Sequence, residues 1–364
     1  MRVFALPDFP WDSLAEDKAL AAAHPDGIVD LSVGTPVDPV PDVVRAALAG
    51  PAAEEPGYPT THGTPALRAA LGGALRRRFG MAVDPVAILP TIGSKELVAW
   101  LPTLLGLGHE DTVVIPELAY PTYEVGARLA GAAFVRTDAT TALGPARPGL
   151  LWLNSPSNPT GRVLPPAHLR KVVRWARARG TIVASDECYL ALAGSTDAHS
   201  ILHPDICGGS HTGLLAVHSL SKSSNLAGYR AGLIAGDPGL VAALLEVRKH
   251  AGMIVPFPVQ AAMTAAASDD EHVVAQAERY ERRRAALRPA LEKAGLAVEH
   301  SEAGLYLWAT AGEPGRLTVR RLAAEGVLVA PGEFYGPAGE QHVRVALTAS
   351  DERIETAARR LARR

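Results

Sequence analysis

Between residues 66 and 235, short apolar runs alternate with longer amphipathic segments, and this alternation constrains the fold more than any other feature. The apolar runs have the length of strands, and the segments between them have helical periodicity. Strands that alternate with helices form a largely parallel sheet with both faces covered. The sequence therefore predicts an α/β fold with strands at 87–89, 112–115, 133–136, 150–153, 181–185, 214–218 and 230–235, and helices at 66–79, 95–105, 123–130 and 166–179.

The sequence changes character on both sides of this alternating region. After Pro256, a long helical stretch at 258–294 leads into shorter predicted strands at 305–308, 327–329 and 343–347. The first 40 residues are rich in Pro and Asp, which predicts an extended arm with a strand and turn at 28–34 that returns to this second unit. We expect residues 1–45 to form the arm and part of a small domain, 46–255 the large domain, and 256–364 the small C-terminal domain.

Composition excludes two classes of protein. The 364 residues carry a formal net charge of −2, whereas a nucleic-acid-binding protein needs a clustered basic face. The arginine runs at 76–78 and 282–284 lie in helix-like sequence, and we interpret them as solvated helix faces. No stretch approaches the roughly 20 apolar residues of a membrane span, and no apolar segment follows a basic N-terminus. We therefore expect a cytoplasmic protein, in which two cysteines are too few for a disulfide framework.

The segment 216–230 contains the most informative residue, Lys222. An apolar strand ends there in a Ser-Leu-Ser-Lys loop, and a second strand starts eight residues later with Arg230. A partly desolvated lysine has a depressed pKa and is a nucleophile that forms imines. Ser219, Ser221 and Arg230 supply hydroxyl donors and a cationic fork, which are the groups that anchor a phosphate. The segment therefore predicts a reactive amine beside a phosphate-binding loop.

Other interpretations of these residues were weighed against this one. An isolated lysine at a strand end is more often an exposed surface residue. Ser219-Leu-Ser-Lys222 also has the S-x-x-K form of penicillin-binding proteins, but the S-D-N and K-T-G motifs of that chemistry are absent. His203, Cys207 and His211 have metal-like spacing, yet a proline and two glycines interrupt the helix that would group them, so we expect no metal site. No G-x-G-x-x-G follows a predicted strand, which argues against a dinucleotide site.

Together with four further motifs, the lysine segment resembles the class I and II aminotransferases, which are fold-type I enzymes dependent on pyridoxal 5′-phosphate. The motifs are a loop at 153–161 (Leu-Asn-Ser-Pro-Ser-Asn-Pro-Thr-Gly), a strand end at 185–189 (Ser-Asp-Glu-Cys-Tyr), a helix start at 91–96 (Thr-Ile-Gly-Ser-Lys-Glu) and a C-terminal strand at 342–347 (His-Val-Arg-Val-Ala-Leu). The resemblance covers nearly the whole chain. It implies a large domain with a mostly parallel seven-stranded sheet between helices, and a smaller α+β domain.

The resemblance also implies roles for individual residues. Lys222 would hold pyridoxal 5′-phosphate as an imine and then act as the proton shuttle. Asp186 would pair with the pyridine nitrogen, and Tyr189 would hydrogen-bond the phenolic oxygen. The remaining cofactor-binding residues would be Gly93, Ser94, Lys95, Tyr120, Asn158, Ser219, Ser221 and Arg230, with Tyr58 reaching in from a neighbouring subunit. Substrate would be held by Gly34, Asn158 and Arg344, the last through its α-carboxylate.

Longer stretches, at 6–12, 30–38, 116–123 and 247–253, are similar to actinobacterial N-succinyldiaminopimelate aminotransferases. The similarity implies amino transfer between glutamate or 2-oxoglutarate and N-succinyl-LL-2,6-diaminopimelate or its keto acid, in lysine biosynthesis. A long substrate of this kind needs a second cationic side chain to bind the anionic group at its distal end. The candidates for this second grip are Lys95, Arg248 and Lys249.

Three alternatives to this substrate stay open, and all keep the fold. One is an aminotransferase of aspartate, aromatic or other specificity, and another is a β-lyase with the same cofactor. The third is a non-enzymatic effector-binding module, although residues 1–40 are too short and too rich in proline for a helix-turn-helix domain. In each enzymatic case, a phosphate site shared through Tyr58 and Arg230 implies a homodimer.

Overall fold

The computed structural model describes residues 6–363, and the thirteen strands within that part of the chain belong to three sheets. The strands are β1 Val29–Asp30, β2 Ile88–Ile92, β3 Thr112–Ile115, β4 Ala133–Arg136, β5 Leu150–Asn154, β6 Ile182–Asp186, β7 Leu214–Ser219, β8 Ala231–Gly236, β9 Ala297–Glu299, β10 Tyr306–Thr310, β11 Val327–Leu328, β12 Ala330–Pro331 and β13 His342–Ala346.

The largest sheet confirms the predicted α/β fold. Its seven strands have the order β2-β8-β7-β6-β5-β3-β4, and only β8 runs antiparallel to its neighbours. Every residue of β5 is buried, and its alternate side chains point into different apolar clusters, Trp152 into one and Leu151 into the other. A parallel strand covered on both faces is apolar throughout, which is why these strands are recognisable in the sequence.

The helices cover both faces of this sheet and continue into the C-terminal part of the chain. Their bounds are α1 Ala15–Ala22, α2 Asp42–Leu48, α3 Pro65–Phe79, α4 Gly93–Leu104, α5 Thr122–Ala130, α6 Pro166–Arg177, α7 Pro204–Cys207, α8 Pro238–His250, α9 Phe257–Ser268, α10 Glu271–Lys293, α11 Gly315–Ala324 and α12 Asp351–Leu361. Between residues 6 and 363, none of them combines the length and the apolar character that crossing a bilayer requires.

Two predictions about helices were wrong. The arm is not extended throughout, because a short 3₁₀ turn and α1 occupy residues 10–22. The stretch 258–294 is not continuous, because Asp269 adopts an extended conformation between α9 and α10. The Asp269 carboxylate accepts a hydrogen bond from the Glu271 amide at 2.9 Å, so the side chain caps a new helix start instead of continuing the old helix.

The C-terminal strands form a separate antiparallel sheet with the order β12-β13-β10-β9. The arm reaches this part of the chain through β1, which pairs in parallel with β11. All strands of the large sheet come from residues 88–236, and those of the second sheet from 297–346. The exact domain boundaries at residues 45 and 255 stay predictions.

The two arginine runs are only partly the solvated faces that the sequence suggested, since Arg76 and Arg77 in α3 are exposed. In α10, Arg283 and Arg284 are buried and only Arg282 is exposed. In α3, Arg77 and Arg78 both contact the Asp270 carboxylate, at 3.0 and 2.6 Å. These runs therefore connect helices to one another, and the partners that show this are distant in sequence.

Candidate active site

A cavity of about 920 Å³ opens at the carboxyl ends of β5, β6 and β7, and strands β10 and β13 of the second sheet form its opposite wall. Parallel strands bring their carboxyl ends to one edge of the sheet, so residues distant in sequence meet there. Twelve predicted site residues line the cavity: Gly34, Ser94, Lys95, Tyr120, Asn158, Asp186, Tyr189, Ser219, Ser221, Lys222, Arg230 and Arg344.

One end of the cavity is an anion cradle formed by the start of α4 and by Arg230. Gly93 is the first residue of α4 and has a φ of +72°, and a Cβ built on it would lie 2.4 Å from Nη2 of Arg230. A Cβ on Gly232 in β8 would lie 2.8 Å from the Ser94 amide nitrogen. Glycines at both positions therefore leave room for a guanidinium beside the free N–H groups of a helix N-terminus, which is an arrangement suited to a phosphate.

Asp186 at the end of β6 is a buried carboxylate that faces the cavity. Tyr123 donates its hydroxyl to Oδ2 at 2.7 Å, and the Cys188 amide donates to Oδ1 at 3.2 Å. No ion pair found in residues 6–363 includes Asp186, and burial raises the pKa of this carboxyl although the hydrogen bonds oppose the shift. A cationic N–H in the cavity would restore its charge, which is what a protonated pyridine nitrogen offers.

Lys222 is the amine of the cavity, and its ammonium donates a hydrogen bond to the carbonyl of Gly34. Burial, together with the positive charges of Arg344 and Arg230, lowers the pKa of Lys222 to about 8. A larger fraction of this lysine is therefore an uncharged nucleophile near neutral pH than for an exposed lysine.

Arg344 on β13 is buried at the far end from the phosphate cradle. Its Nη1 donates to Oδ1 of Asn158 at 2.9 Å, and its Nη2 donates to the Ser32 carbonyl at 2.8 Å. The guanidinium lies 4.0 Å from the ring centroid of Tyr306, and its Nε has no hydrogen-bond partner among the described residues. A fixed, buried guanidinium with an unused donor is suited to a substrate carboxylate.

The structure does not bring every candidate into the cavity. Tyr58 is 96% exposed and lies outside it, and Gly93 supports the cradle from behind rather than lining it. Arg248 was wrong as a candidate for the second grip, because it is buried in a bidentate ion pair with Glu96 at 2.8 and 3.2 Å. Lys249 was wrong as well, because it lies on the surface and pairs with Glu246.

Several residues in the cavity wall or directly behind it were not assigned a role by sequence reasoning. Tyr123 lay inside a quoted motif without a role, yet it positions Asp186. Tyr306, whose hydroxyl lies 3.2 Å from that of Tyr189, lay in a segment interpreted mainly as a core strand whose start could line the substrate pocket. Phe9 and Trp11 come from the arm and line the cavity from the side of the second sheet. The motif around Tyr123, the start of the segment 304–308 and the similar stretch at 6–12 carried signals that could have been used.

The strand order, the lysine after β7 and the aspartate ending β6 define the fold-type I class of pyridoxal-phosphate enzymes, and the comparisons with known proteins agree. The family described as Aminotransferase class I and II matches residues 26–361. The chain is 66% identical to a probable aminotransferase of Mycobacterium tuberculosis, over 98% of this chain and 85% of that protein. It is 60% identical to the 4-dedimethylamino-4-oxo-anhydrotetracycline transaminase OxyQ of Streptomyces rimosus, over 98% of this chain and 99% of that one.

A solved structure, a probable N-succinyldiaminopimelate aminotransferase of Thermus thermophilus, superposes with a TM-score of 0.88 at 29% identity, over 98% of this chain and all of that one. The chain belongs to the class I and II aminotransferases. It is therefore a transaminase that depends on pyridoxal 5′-phosphate. The anion cradle fits the phosphate of that cofactor. Asp186, which has no counter-ion among the described residues, fits the ring nitrogen, and the buried amine of Lys222 fits the aldehyde.

Proposed function

We propose that this aminotransferase moves an amino group between glutamate or 2-oxoglutarate and N-succinyl-LL-2,6-diaminopimelate or its keto acid, in lysine biosynthesis. One observation carries the proposal: the cavity has a carboxylate-binding arginine, Arg344, and a second cation, Lys95, whose ammonium has no carboxylate within ion-pair distance in residues 6–363. A long substrate with an anion at each end needs this arrangement. The similarity to the Thermus thermophilus protein supports the same substrate.

The phosphate would be held by Ser94, Ser219, Ser221 and Arg230 around the start of α4. Gly93 makes room for Arg230 there, and Lys95 is adjacent. Lys95 lines the cavity next to Ser94. Its ammonium would bind either the phosphate or the distal end of the substrate, and these two roles are alternatives.

The cofactor ring would lie between Tyr120 and the residues that bind its polar atoms. Asp186 would face the ring nitrogen, and Tyr189 the phenolic oxygen. Asn158 would donate its amide N–H₂ to the same oxygen, because its Oδ1 already accepts from Arg344. This one contact couples the residue that binds the cofactor to the residue that binds the substrate.

When bound, pyridoxal phosphate supplies an electron sink for the electron pair at the substrate α-carbon. Lys222 supplies the proton transfer, since its amine is uncharged in part and can accept the proton that leaves the α-carbon and then release it to complete the transfer of the amino group. Arg344 fixes the carboxylate, and with Gly34 it sets which bond of the α-carbon points at the Lys222 amine. Exclusion of water by the arm and the second sheet keeps that amine weakly basic.

The site is completed in a homodimer if Tyr58, which is exposed in the single chain, reaches the phosphate of a partner. We also propose a cytoplasmic location for the enzyme.

A second candidate function is an aminotransferase for a larger ring-containing substrate, and the 60% identity to OxyQ favours it. A β-lyase is the remaining alternative.

A panel of amino donors tests the proposal. Purified enzyme is assayed for glutamate formation from 2-oxoglutarate with N-succinyl-LL-2,6-diaminopimelate, aspartate and phenylalanine. We expect the highest kcat/KM for the succinylated donor. Fast turnover of aspartate or phenylalanine without turnover of that donor would replace the substrate and keep the aminotransferase. Pyruvate and ammonia from cystathionine, without glutamate, would instead indicate the lyase.

A further inference from the structure

Residues 6–11 of the arm form one wall of the active-site cavity, and this wall is unusually apolar for a surface segment. Phe9 is 54% exposed and Leu6 is 44% exposed, although both line the cavity. Exposed aromatic side chains in a concave site lose contact with water when a ligand covers them, so their exposure indicates a binding surface.

The rings in this wall are arranged in a continuous row. The centroids of Phe9 and Trp11 are 5.5 Å apart, and those of Trp11 and Phe334 are 5.3 Å apart. We call Phe9, Trp11 and Phe334 the aromatic shelf. Rings at these separations pack against each other, and a cation lies near each of them: Lys95 near Phe9, Arg344 near Trp11 and Arg316 near Phe334.

The aromatic shelf is aligned with the carboxylate end of the site. Trp11 donates its indole N–H to the Ser32 carbonyl at 3.3 Å, and Arg344 donates to the same oxygen at 2.8 Å. The Arg344 guanidinium also lies 5.8 Å from the Trp11 ring centroid. A substrate whose α-carboxylate is held by Arg344 therefore has the shelf within reach of its side chain.

The cavity has room for an occupant larger than a short amino acid. About 920 Å³ is near the upper end of the range for small-molecule sites. The shelf offers ring faces between the carboxylates of Asp8 and Glu333, which also line the cavity, and at its outer end the Lys95 ammonium lies 5.6 Å from the Phe9 centroid. Ring faces beside a cation suit a planar group, such as an amide or an aryl ring, that is attached to an extended side chain.

We propose that the aromatic shelf determines substrate specificity by binding a planar group in the distal part of the amino acid's side chain. The inference rests on the aminotransferase activity of the proposed function, and it does not depend on the succinylated substrate in particular. The proposal makes residues 6–11 of the arm part of the substrate-binding surface, although they lie outside the residues 26–361 that match the family.

Variants of Phe9 test the proposal, because this ring is exposed and its removal leaves the core unchanged. The donors are glutamate, which lacks a planar distal group beyond its carboxylate, and three donors with a distal amide or ring: N-succinyl-LL-2,6-diaminopimelate, Nε-acetyl-lysine and phenylalanine. Phe9→Ala should lower kcat/KM about tenfold for the donors with planar groups, mostly through KM, since tenfold corresponds to about 1.4 kcal/mol. Glutamate should change less than twofold.

Two further variants separate binding from structure. Phe9→Tyr keeps the ring and should retain the activity of the native enzyme on every donor. Leu317→Ala removes an exposed apolar side chain, 56% exposed, outside the cavity and should change no donor. An equal loss for glutamate and the planar donors in Phe9→Ala, or no loss for any donor, would overturn the proposal.

The same measurements distinguish failure of the shelf proposal from failure of the proposed substrate. If the native enzyme rejects the succinylated donor but accepts Nε-acetyl-lysine or phenylalanine, the substrate assignment fails and the shelf is tested on those donors. If the native enzyme accepts glutamate and none of the planar donors, the shelf proposal itself is wrong.

Discussion

At the scale of single residues, the phosphate cradle depends on the missing side chain of Gly93. A Cβ there would lie 2.4 Å from Arg230 Nη2, so the guanidinium would have to leave the cradle. A charge-assisted hydrogen bond contributes about 1.5–3 kcal/mol, which corresponds to a tenfold or larger change in binding. We expect Gly93→Ala to raise the dissociation constant of pyridoxal phosphate at least tenfold, measured by absorbance titration of the cofactor-free enzyme.

Gly106→Ala is the matched control for this variant. Gly106 has a φ of +75°, close to that of Gly93, but a Cβ built there meets nothing within 4 Å. Both variants should lose roughly 1 kcal/mol of folding free energy from left-handed backbone strain. Only Gly93→Ala should lose cofactor affinity, and equal affinity losses would show that strain rather than contact with Arg230 is responsible.

The buried amine of Lys222 has a consequence for stability in the cofactor-free enzyme. Its pKa is lowered to about 8 in the folded chain, so the protonated form costs folding free energy below pH 8. The cost disappears as pH rises from about 8 toward the unfolded value near 10.5, where the lysine is neutral in both states. Lys222→Met should therefore stabilise the cofactor-free protein at pH 7, by roughly 3 kcal/mol at most.

Denaturant unfolding of the two cofactor-free proteins at pH 7 and pH 10 measures this difference. The hydrogen bond from Lys222 to Gly34 is lost in the variant and reduces the gain. Lys249→Met, which replaces an exposed lysine, is the control for the loss of a lysine side chain. A gain for Lys222→Met that grows between pH 8 and 10 would contradict the predicted sign.

The sequence predicted the cavity residues well because most of them follow directly after apolar strands. Asp186 and Ser219 end β6 and β7, and the ends of neighbouring parallel strands meet whatever the intervening sequence. Arg248 could not be placed in the same way. Its partner Glu96 lies 152 positions earlier, and nothing near Arg248 in sequence shows that the charge is already neutralised.

At the scale of elements, Arg283 in α10 connects three distant segments. It donates two hydrogen bonds to the Asp38 carboxylate, at 2.6 and 2.9 Å, and one to Asp351 at the start of α12, at 2.6 Å. Arg283 is 2% exposed, and its removal leaves the Asp38 carboxylate with the more distant Arg279, at 3.7 Å, as its remaining counter-ion. We expect Arg283→Met to lower the free energy of unfolding by about 3 kcal/mol in denaturant titration.

The neighbouring arginine provides the control for that measurement. Arg282 is exposed on the same helix turn, and Arg282→Met should change stability by less than about 0.5 kcal/mol. A similar effect for both variants would mean that helix propensity or net charge, rather than the buried ion pair, controls the result.

The elements that the sequence missed are those whose limits depend on local polar contacts. The strands of the large sheet were found from apolar runs, although β2 continues to Ile92 beyond its predicted end. The break at Asp269 was missed because α9 and α10 are both rich in helix-forming residues, and a single aspartate decides the boundary. Helix α1 was missed because the surrounding prolines and aspartates have the composition of an extended segment.

At the scale of the whole molecule, Tyr58 is the residue that the single chain leaves unexplained. Its side chain is 96% exposed between α2 and α3, whereas the other proposed cofactor residues line one cavity or support it. If Tyr58 binds the phosphate of a partner, each active site needs two chains, and the enzyme should sediment as a dimer. Tyr58→Ala should then weaken cofactor binding without lowering the stability of the folded chain.

Mixing two inactive variants tests whether sites are shared. Lys222→Ala loses the amine, and Tyr58→Ala, assayed at limiting cofactor, loses the contact with the phosphate. A mixed dimer has one site with both residues intact. Random re-association of equal amounts makes half of the dimers mixed, so the mixture should recover roughly a quarter of native activity after reversible unfolding. Lys222→Ala with Arg230→Ala is the control, because both residues line the same cavity of one chain and no intact site can form. No recovery with Tyr58→Ala would place Tyr58 outside the site, and recovery in the control would show that the recovered activity does not report on shared sites.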